Sequence, residues 1–150
     1  MFACQVSNNR AEGYGGGFRI LNMEVVHIQK SFVHNNNAVQ KGGGLSLEKC
    51  KHIYIYGNIM IQNRARTMGS GGALDSYIND KISIFNCTFG QNEAAWGAGI
   101  AIRDSKNLLF LGCLFDQNKA SERGGGFYIE TREISSVNWI ILSNFKYNTA

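Results

Sequence analysis

FGQNEAAWGAGI, residues 89 to 100, is followed at 115 to 127 by FDQNKASERGGGF, with Phe, Asn, Ala and a glycine run in the same order. Working outward, an apolar residue followed by Asn three positions on and Ala five positions on occurs six times. The sets are Val6–Asn9–Ala11, Val33–Asn36–Ala38, Met60–Asn63–Ala65, Phe89–Asn92–Ala94, Phe115–Asn118–Ala120 and Phe145–Asn148–Ala150. The alanines step by 27, 27, 29, 26 and 30 residues, a period that predicts a solenoid over the whole of 1–150.

Between these anchors stand GGGFRI at 15–20, GGGLSL at 42–47, GGALDS at 71–76, GAGIAI at 97–102 and GGGFYI at 124–129, each alternating apolar and other residues with the period of a strand. A second apolar run follows in each repeat: VVHI, IYIY, ISIF, LLFL and, delayed by three residues, VNWIIL at 137–142. The delay predicts an outward loop at 131–136. Eighteen glycines, no proline and abundant Asn and Ile disfavour helix. No repeat holds a ten-residue helical stretch, so each is one turn of a parallel β-helix, all-β, of about five coils of roughly 27 residues.

Equivalent residues then stack about 4.8 Å apart in columns. Phe18, Leu45, Leu74, Ile100 and Phe127 form one expected core column, with Ile20, Leu47, Ile102 and Ile129 two residues on. Val26, Ile53, Ile82 and Leu108, then Ile28, Ile55, Ile84, Phe110 and Ile140, form the columns of the second strand. Asn9, Asn36, Asn63, Asn92, Asn118 and Asn148 are expected to pass amide hydrogen bonds from coil to coil as a ladder.

The FxxN spacing (Phe89 to Asn92, Phe115 to Asn118, Phe145 to Asn148) together with GGAL at 71–74 resembles the repeats of chlamydial polymorphic outer-membrane proteins. More broadly the chain is similar to pectin-lyase-like right-handed β-helices, including long repeat proteins of protist surfaces. The resemblance implies surface exposure and adhesion, at a cell surface or outside the cell. The first residues, MFACQVSNNR, have no apolar leader core and already carry repeat motif, as expected of an intracellular chain or of inner residues of a longer exported one.

Chemistry is sparse. Cys4, Cys87 and Cys113 share a column with Ser31, Asn58 and Ser143, where packed free thiols stand in for small polar residues; Cys50 is alone in a turn. His27, His34 and His52 form no cluster, and neither a metal site nor a cofactor is expected. Outward positions of the first strand place Asp75, Tyr77, Arg103, Tyr128 and Glu130 on one surface able to contact a sugar chain. They lack an obvious acid and base pair, and Arg103 and Glu130 read equally well as an ion pair between coils. A polysaccharide-cleaving enzyme is the minority reading.

Arg10, Arg64, Arg66, Lys119 and Arg123 predict an anion-binding ridge, in a chain of net charge +4, that would attract acidic glycans. Specific nucleic-acid binding is not expected, nor is a membrane span. Tyr54, Tyr56, Phe85, Leu109, Leu111, Trp139 and Ile141 form an outward apolar face that predicts an interface. One glycosylation sequon, Asn86–Cys87–Thr88, follows a strand. The chain begins and stops at the same phase of the repeat, as expected of a segment of a longer solenoid or a subunit that stacks end to end or laterally. The expected function is a non-catalytic structural or adhesive repeat protein, self-assembling into a filament.

Overall fold

The computed structural model describes residues 1–66, 68–131 and 138–150; the loop expected at 131–136 lies, from 132 on, outside the described residues. Each repeat contributes one strand to each of four parallel sheets. Sheet I contains Gln5–Ser7, Phe32–His34, Ile59–Ile61, Thr88–Gly90, Leu114–Asp116 and Asn144–Lys146. Sheet II contains Arg10–Ala11, Asn37–Ala38, Arg64–Ala65, Glu93–Trp96 and Lys119–Arg123. Sheet III is built from Phe18–Leu21, Leu45–Glu48, Leu74–Tyr77, Ile100–Arg103 and Phe127–Glu130, and sheet IV from Val25–Gln29, His52–Tyr56, Lys81–Phe85, Leu108–Leu111 and Asn138–Ile141.

In-register pairing puts Leu45 against Leu74 and Leu74 against Ile100, as the period requires, and the inner columns of sheets III and IV are fully buried through the middle coils. Coil three departs at Ser76, buried between Leu47 and Ile102, where its hydroxyl accepts a hydrogen bond from Asn79 Nδ2 at 2.7 Å. Inside sheet I, Phe89, Phe115 and Phe145 stack with centroids 5.0 and 4.7 Å apart. Two expected core residues are exposed, Phe18 at 42% and Ile140 at 47%. They lie on the first and last coils, where the column has a neighbour on one side only.

The corners explain the asparagines. The residue before each ladder Asn takes a left-handed conformation, φ 58° at Asn8 and 53° at Gln91 for example, which swings the Asn N–H out of the sheet pattern. That N–H is donated to the Asn Oδ1 of the next coil. Asn63 N donates to Asn92 Oδ1 at 2.9 Å, and Asn63 Nδ2 donates both to the same oxygen at 3.2 Å and back to Val33 O at 2.9 Å. The same arrangement runs from Asn9 through Asn36 and Asn92 to Asn118 and Asn148. At zero or near-zero exposure, Asn36, Asn63, Asn92 and Asn118 satisfy corner N–H groups that no strand can reach, while Asn9 and Asn148 on the outer coils are less covered.

Two further ladders were not read as such from the sequence. In the cysteine column, Cys4 N donates to Ser31 Oγ, Ser31 N to Asn58 Oδ1, Asn58 N to Cys87 Sγ and Cys113 N to Ser143 Oγ. At another corner Cys50 N donates to Asn79 Oδ1 and Asn79 N to Ser105 Oγ, so Cys50 is part of a stacked polar column and not alone. All four cysteines are free; burial pushes the Cys87 thiol up to about 11 and raises Cys113 as well, which suits packing and not reactivity.

Candidate functional site: a concave groove at the glycine corner

The turn into sheet III is forced tight by glycine. Gly42 and Gly71 have φ of +62° and +66°, and a Cβ on either would collide with the carbonyl oxygen three residues on. The residue just before the turn therefore folds back over the first outward residue of the strand, five positions later. Tyr14, Lys41, Ser70, Trp96 and Arg123 pair from coil to coil as one column, facing the column Arg19, Ser46, Asp75, Ala101 and Tyr128. Between them, over the first three coils, lies a small groove that Ser70 closes at coil three by bonding Asp75 directly.

Five described contacts define it. Arg19 lies over the Tyr14 ring at 4.4 Å and donates to Glu48 at 3.0 Å. Lys41 Nζ stands 5.7 Å from the Tyr14 centroid and 5.5 Å from that of Tyr77, while the Arg103 guanidinium lies 5.6 Å from the Tyr77 centroid. Tyr14, Arg19, Lys41, Glu48, Asp75 and Tyr77 help to line a cavity of about 120 Å³. Trp96 and Arg123 continue the corner column toward the C-terminal coils, where Trp96 Nε1 donates to Glu122 at 2.8 Å.

Asp75, expected to face outward, is buried, its side chain 2% exposed. Ser70 Oγ donates to its Oδ1 at 2.6 Å and Arg103 Nη2 to the same oxygen at 2.8 Å. Removal from water raises the Asp75 pKa, opposed chiefly by the Arg103 charge. The folded state therefore holds this proton to higher pH than the unfolded chain, and stability falls as pH rises above the ordinary carboxyl value of 3.8. Asp75→Asn removes this titration. Urea unfolding at a series of pH values is expected to show wild type losing stability relative to the variant as pH rises from below 3.8 toward neutrality; a difference independent of pH would contradict the assignment.

Of the expected sugar contacts, Tyr77, Arg103 and Glu130 share neighbouring register positions, as do Asp75 and Tyr128 one place removed. The structure brings all five onto one sheet. Arg103 pairs with Asp75 and not with Glu130, which accepts instead from Tyr128 Oη at 3.2 Å. Sequence reasoning missed Tyr14, Lys41, Ser70 and Trp96 as partners of this surface. The signal was the constant offset of five residues across each glycine run.

The basic ridge is broken. Arg10, Arg64 and Lys119 do share a column, but Asn37 and Glu93 alternate with them and Arg64 Nε is 3.2 Å from Glu93. Arg66 Nε is donated to Asn37 Oδ1. Arg123 belongs to the corner column, because a bulge between Ala94 and Trp96 and their partners puts it opposite Trp96. What remains at the ridge is an open concavity of about 340 Å³ lined by Arg64, Arg66, Glu93 and Lys119 among others.

The expected apolar face keeps its pleat. Tyr56 is 42% exposed, Trp139 58% and Ile141 40%, with Tyr54, Phe85, Leu109 and Leu111 half-buried, although Ser83 in the same column is buried. His27 stacks on Tyr54 at 5.0 Å and His34 on Phe32 at 4.2 Å. No group of three metal-ligating side chains occurs among the described residues, and no helix among them is long and apolar enough to cross a membrane.

Stacked in-register strands, corner ladders and four sheets of this kind define a parallel β-solenoid. The chain belongs to the right-handed beta helix region family, whose model matches residues 2–148. Neither a curated protein nor a solved structure gives a significant match.

Proposed function

We propose that this chain is a non-catalytic adhesive β-helix, of a cell surface or the extracellular space, that holds an extended acidic glycan in the groove beside sheet III. One observation carries the reading. Lys41 stands between the Tyr14 and Tyr77 rings in a small cavity, its pKa lowered first by loss of water and then by Arg103, and no carboxylate lies within ion-pairing distance of it among the described residues. Asp75 and Glu48 act on Lys41 only through space and each is bonded elsewhere, which leaves a partly desolvated cation flanked by aromatic rings for a sugar carboxylate or sulfate whose ring stacks on tyrosine. The groove spans the first three coils, two strand spacings of about 4.8 Å each, which suits a short acidic stretch of a polymer.

The carboxylates support a binding role over cleavage. Asp75 is engaged by Ser70 and Arg103, Glu48 by Arg19 and Lys49, and Glu130 by Tyr128, so each acid already has a partner. The likeness to surface repeat proteins in FxxN and GGAL supports adhesion.

Titration of uronate-containing, sulfated and neutral oligosaccharides tests this. Wild type is expected to prefer the acidic chains, and Lys41→Ala to weaken them about tenfold, or about 1.4 kcal/mol. Arg64→Ala with Lys119→Ala on the ridge is expected to leave affinity unchanged. Loss of binding in the ridge variant alone, equal binding of neutral chains, or release of shortened products would contradict the proposal.

A second reading is head-to-tail self-association. The Asn ladder has one polarity, each coil donating an Asn N–H to the coil after it and accepting at Oδ1 from the coil before it, so coils of two copies stacked in the same sense would meet complementary groups. Sedimentation velocity over a range of concentrations is expected to reveal growth of the assembly; a species of constant size would count against it.

A further inference from the structure

The apolar face at the junction of sheets IV and I has a feature that supplies its own cover. Asn86, first residue of the only sequon in the chain, is exposed on the convex corner between Phe85 at the end of one strand and Thr88 at the start of the next. It takes a left-handed conformation, φ 50°, that turns its side chain outward. Other coils hold Lys30 or Leu142 in such a conformation at this corner, so backbone geometry alone does not demand asparagine.

The residues one rung to either side are glycines. Tyr56 pairs with Phe85 and Phe85 with Leu111, which sets Gly57 and Gly112 next to Asn86. A Cβ on Gly112 would meet Asn86 Oδ1, and one on Gly57 would have only the Lys30 side chain near it. The corner is therefore cleared of side chains around this one amide. Flanking the clearing are Tyr56 and Phe85 on one side and Ile59 and Leu114 on the other. Tyr56 and Ile59 are exposed at 42% and 47%, and Phe85 and Leu114 are half-buried.

We propose that Asn86 is a site of N-linked glycosylation and that the innermost sugars lie across Tyr56, Phe85, Ile59 and Leu114, covering this part of the apolar face. The donor is a lipid-linked oligosaccharide diphosphate presented by a transferase. Asn86 Nδ2 forms a bond to the sugar C1, the C1–oxygen bond to the diphosphate breaks, the lipid diphosphate leaves, and Nδ2 gives up one proton. The Thr88 hydroxyl completes the recognition motif. The apolar ring faces of the sugars then rest on aromatic and aliphatic side chains that are costly to leave in water.

The full chain, secreted from eukaryotic cells behind a leader peptide, tests both parts. Intact mass is expected to show one glycan, removable by endoglycosidase, on wild type and on Thr88→Ser, and none on Asn86→Gln or Thr88→Val; valine keeps the β-branched shape of the strand, and circular dichroism checks the fold of each. Enzymatic removal of the glycan from folded wild type is expected to raise binding of an apolar dye several-fold, and much less so in Tyr56→Ser with Ile59→Ser. A secreted, folded wild type without glycan would overturn the site. Dye binding unchanged on sugar removal would overturn the covering role.

Discussion

Asn63→Leu is expected to destabilise the protein by roughly 4 kcal/mol, since each buried polar group left unpaired costs about 1–3 kcal/mol. The side chain of Asn63 accepts from both Asn36 N and Asn36 Nδ2 and donates to Val33 O and Asn92 Oδ1. Leucine has as many heavy atoms as asparagine but supplies none of these bonds; it orphans the Asn36 N–H and one Asn36 amide hydrogen in an interior with almost no exposure, and removes the second of two bonds to the Val33 carbonyl. Urea denaturation measures the loss. The same change at Asn9, on the first coil, leaves one side of the ladder untouched and is expected to cost less than half as much. Equal effects at the two positions would mean that the ladder contributes little and the losses have another origin.

Gly43→Ala is expected to have an effect of similar size by a different route. The Cβ of alanine would meet the carbonyl of Gly72 on the next coil and the main chain of Arg64, all backbone atoms that cannot rotate away. The coils must part locally, which disturbs the hydrogen bonds from Gly43 N to Gly71 O and from Gly44 N to Gly72 O. Overpacking against backbone commonly costs about 1–3 kcal/mol, and the lost ladder bonds add to it, so a total of roughly 3 kcal/mol or more is expected. Gly13→Ala, with open space around its Cβ, is the control and is expected to change stability by less than about 0.5 kcal/mol. Because Gly43 sits in the turn that folds Lys41 over sheet III, the variant is also expected to weaken the glycan binding proposed above.

The columns were legible in the sequence because strand periodicity is strict at two: once Leu45, Leu74 and Ile100 are placed inward, every neighbour follows. The Asn ladder was legible from spacing alone. The groove was not, for two physical reasons. Alternation tells which side of a strand Asp75 occupies but not that the preceding turn doubles back, so an outward carboxylate became one buried under Ser70 and Arg103. Arg123 was misplaced because it stands three positions after Ala120 while Trp96 stands two after Ala94; the extra residue is absorbed by a bulge, and counting from the Ala anchor puts it on the wrong surface. Cys50 looked solitary because the members of its ladder, Cys50, Asn79 and Ser105, are three different residue types doing one job.

Groove, ladders and cleared corner all depend on one turn of about 27 residues closing a single rung. Nuclear Overhauser contacts in isotope-labelled protein test this most directly. The account predicts cross-peaks from the Asn63 side-chain amide to the Asn92 amide, from Ile55 methyls to those of Ile84, and from Ile84 methyls to the Phe110 ring, each between residues 26 to 29 apart. Cross-peaks that instead join residues of adjacent strands within one repeat, as a hairpin would give, with none across coils, would contradict it.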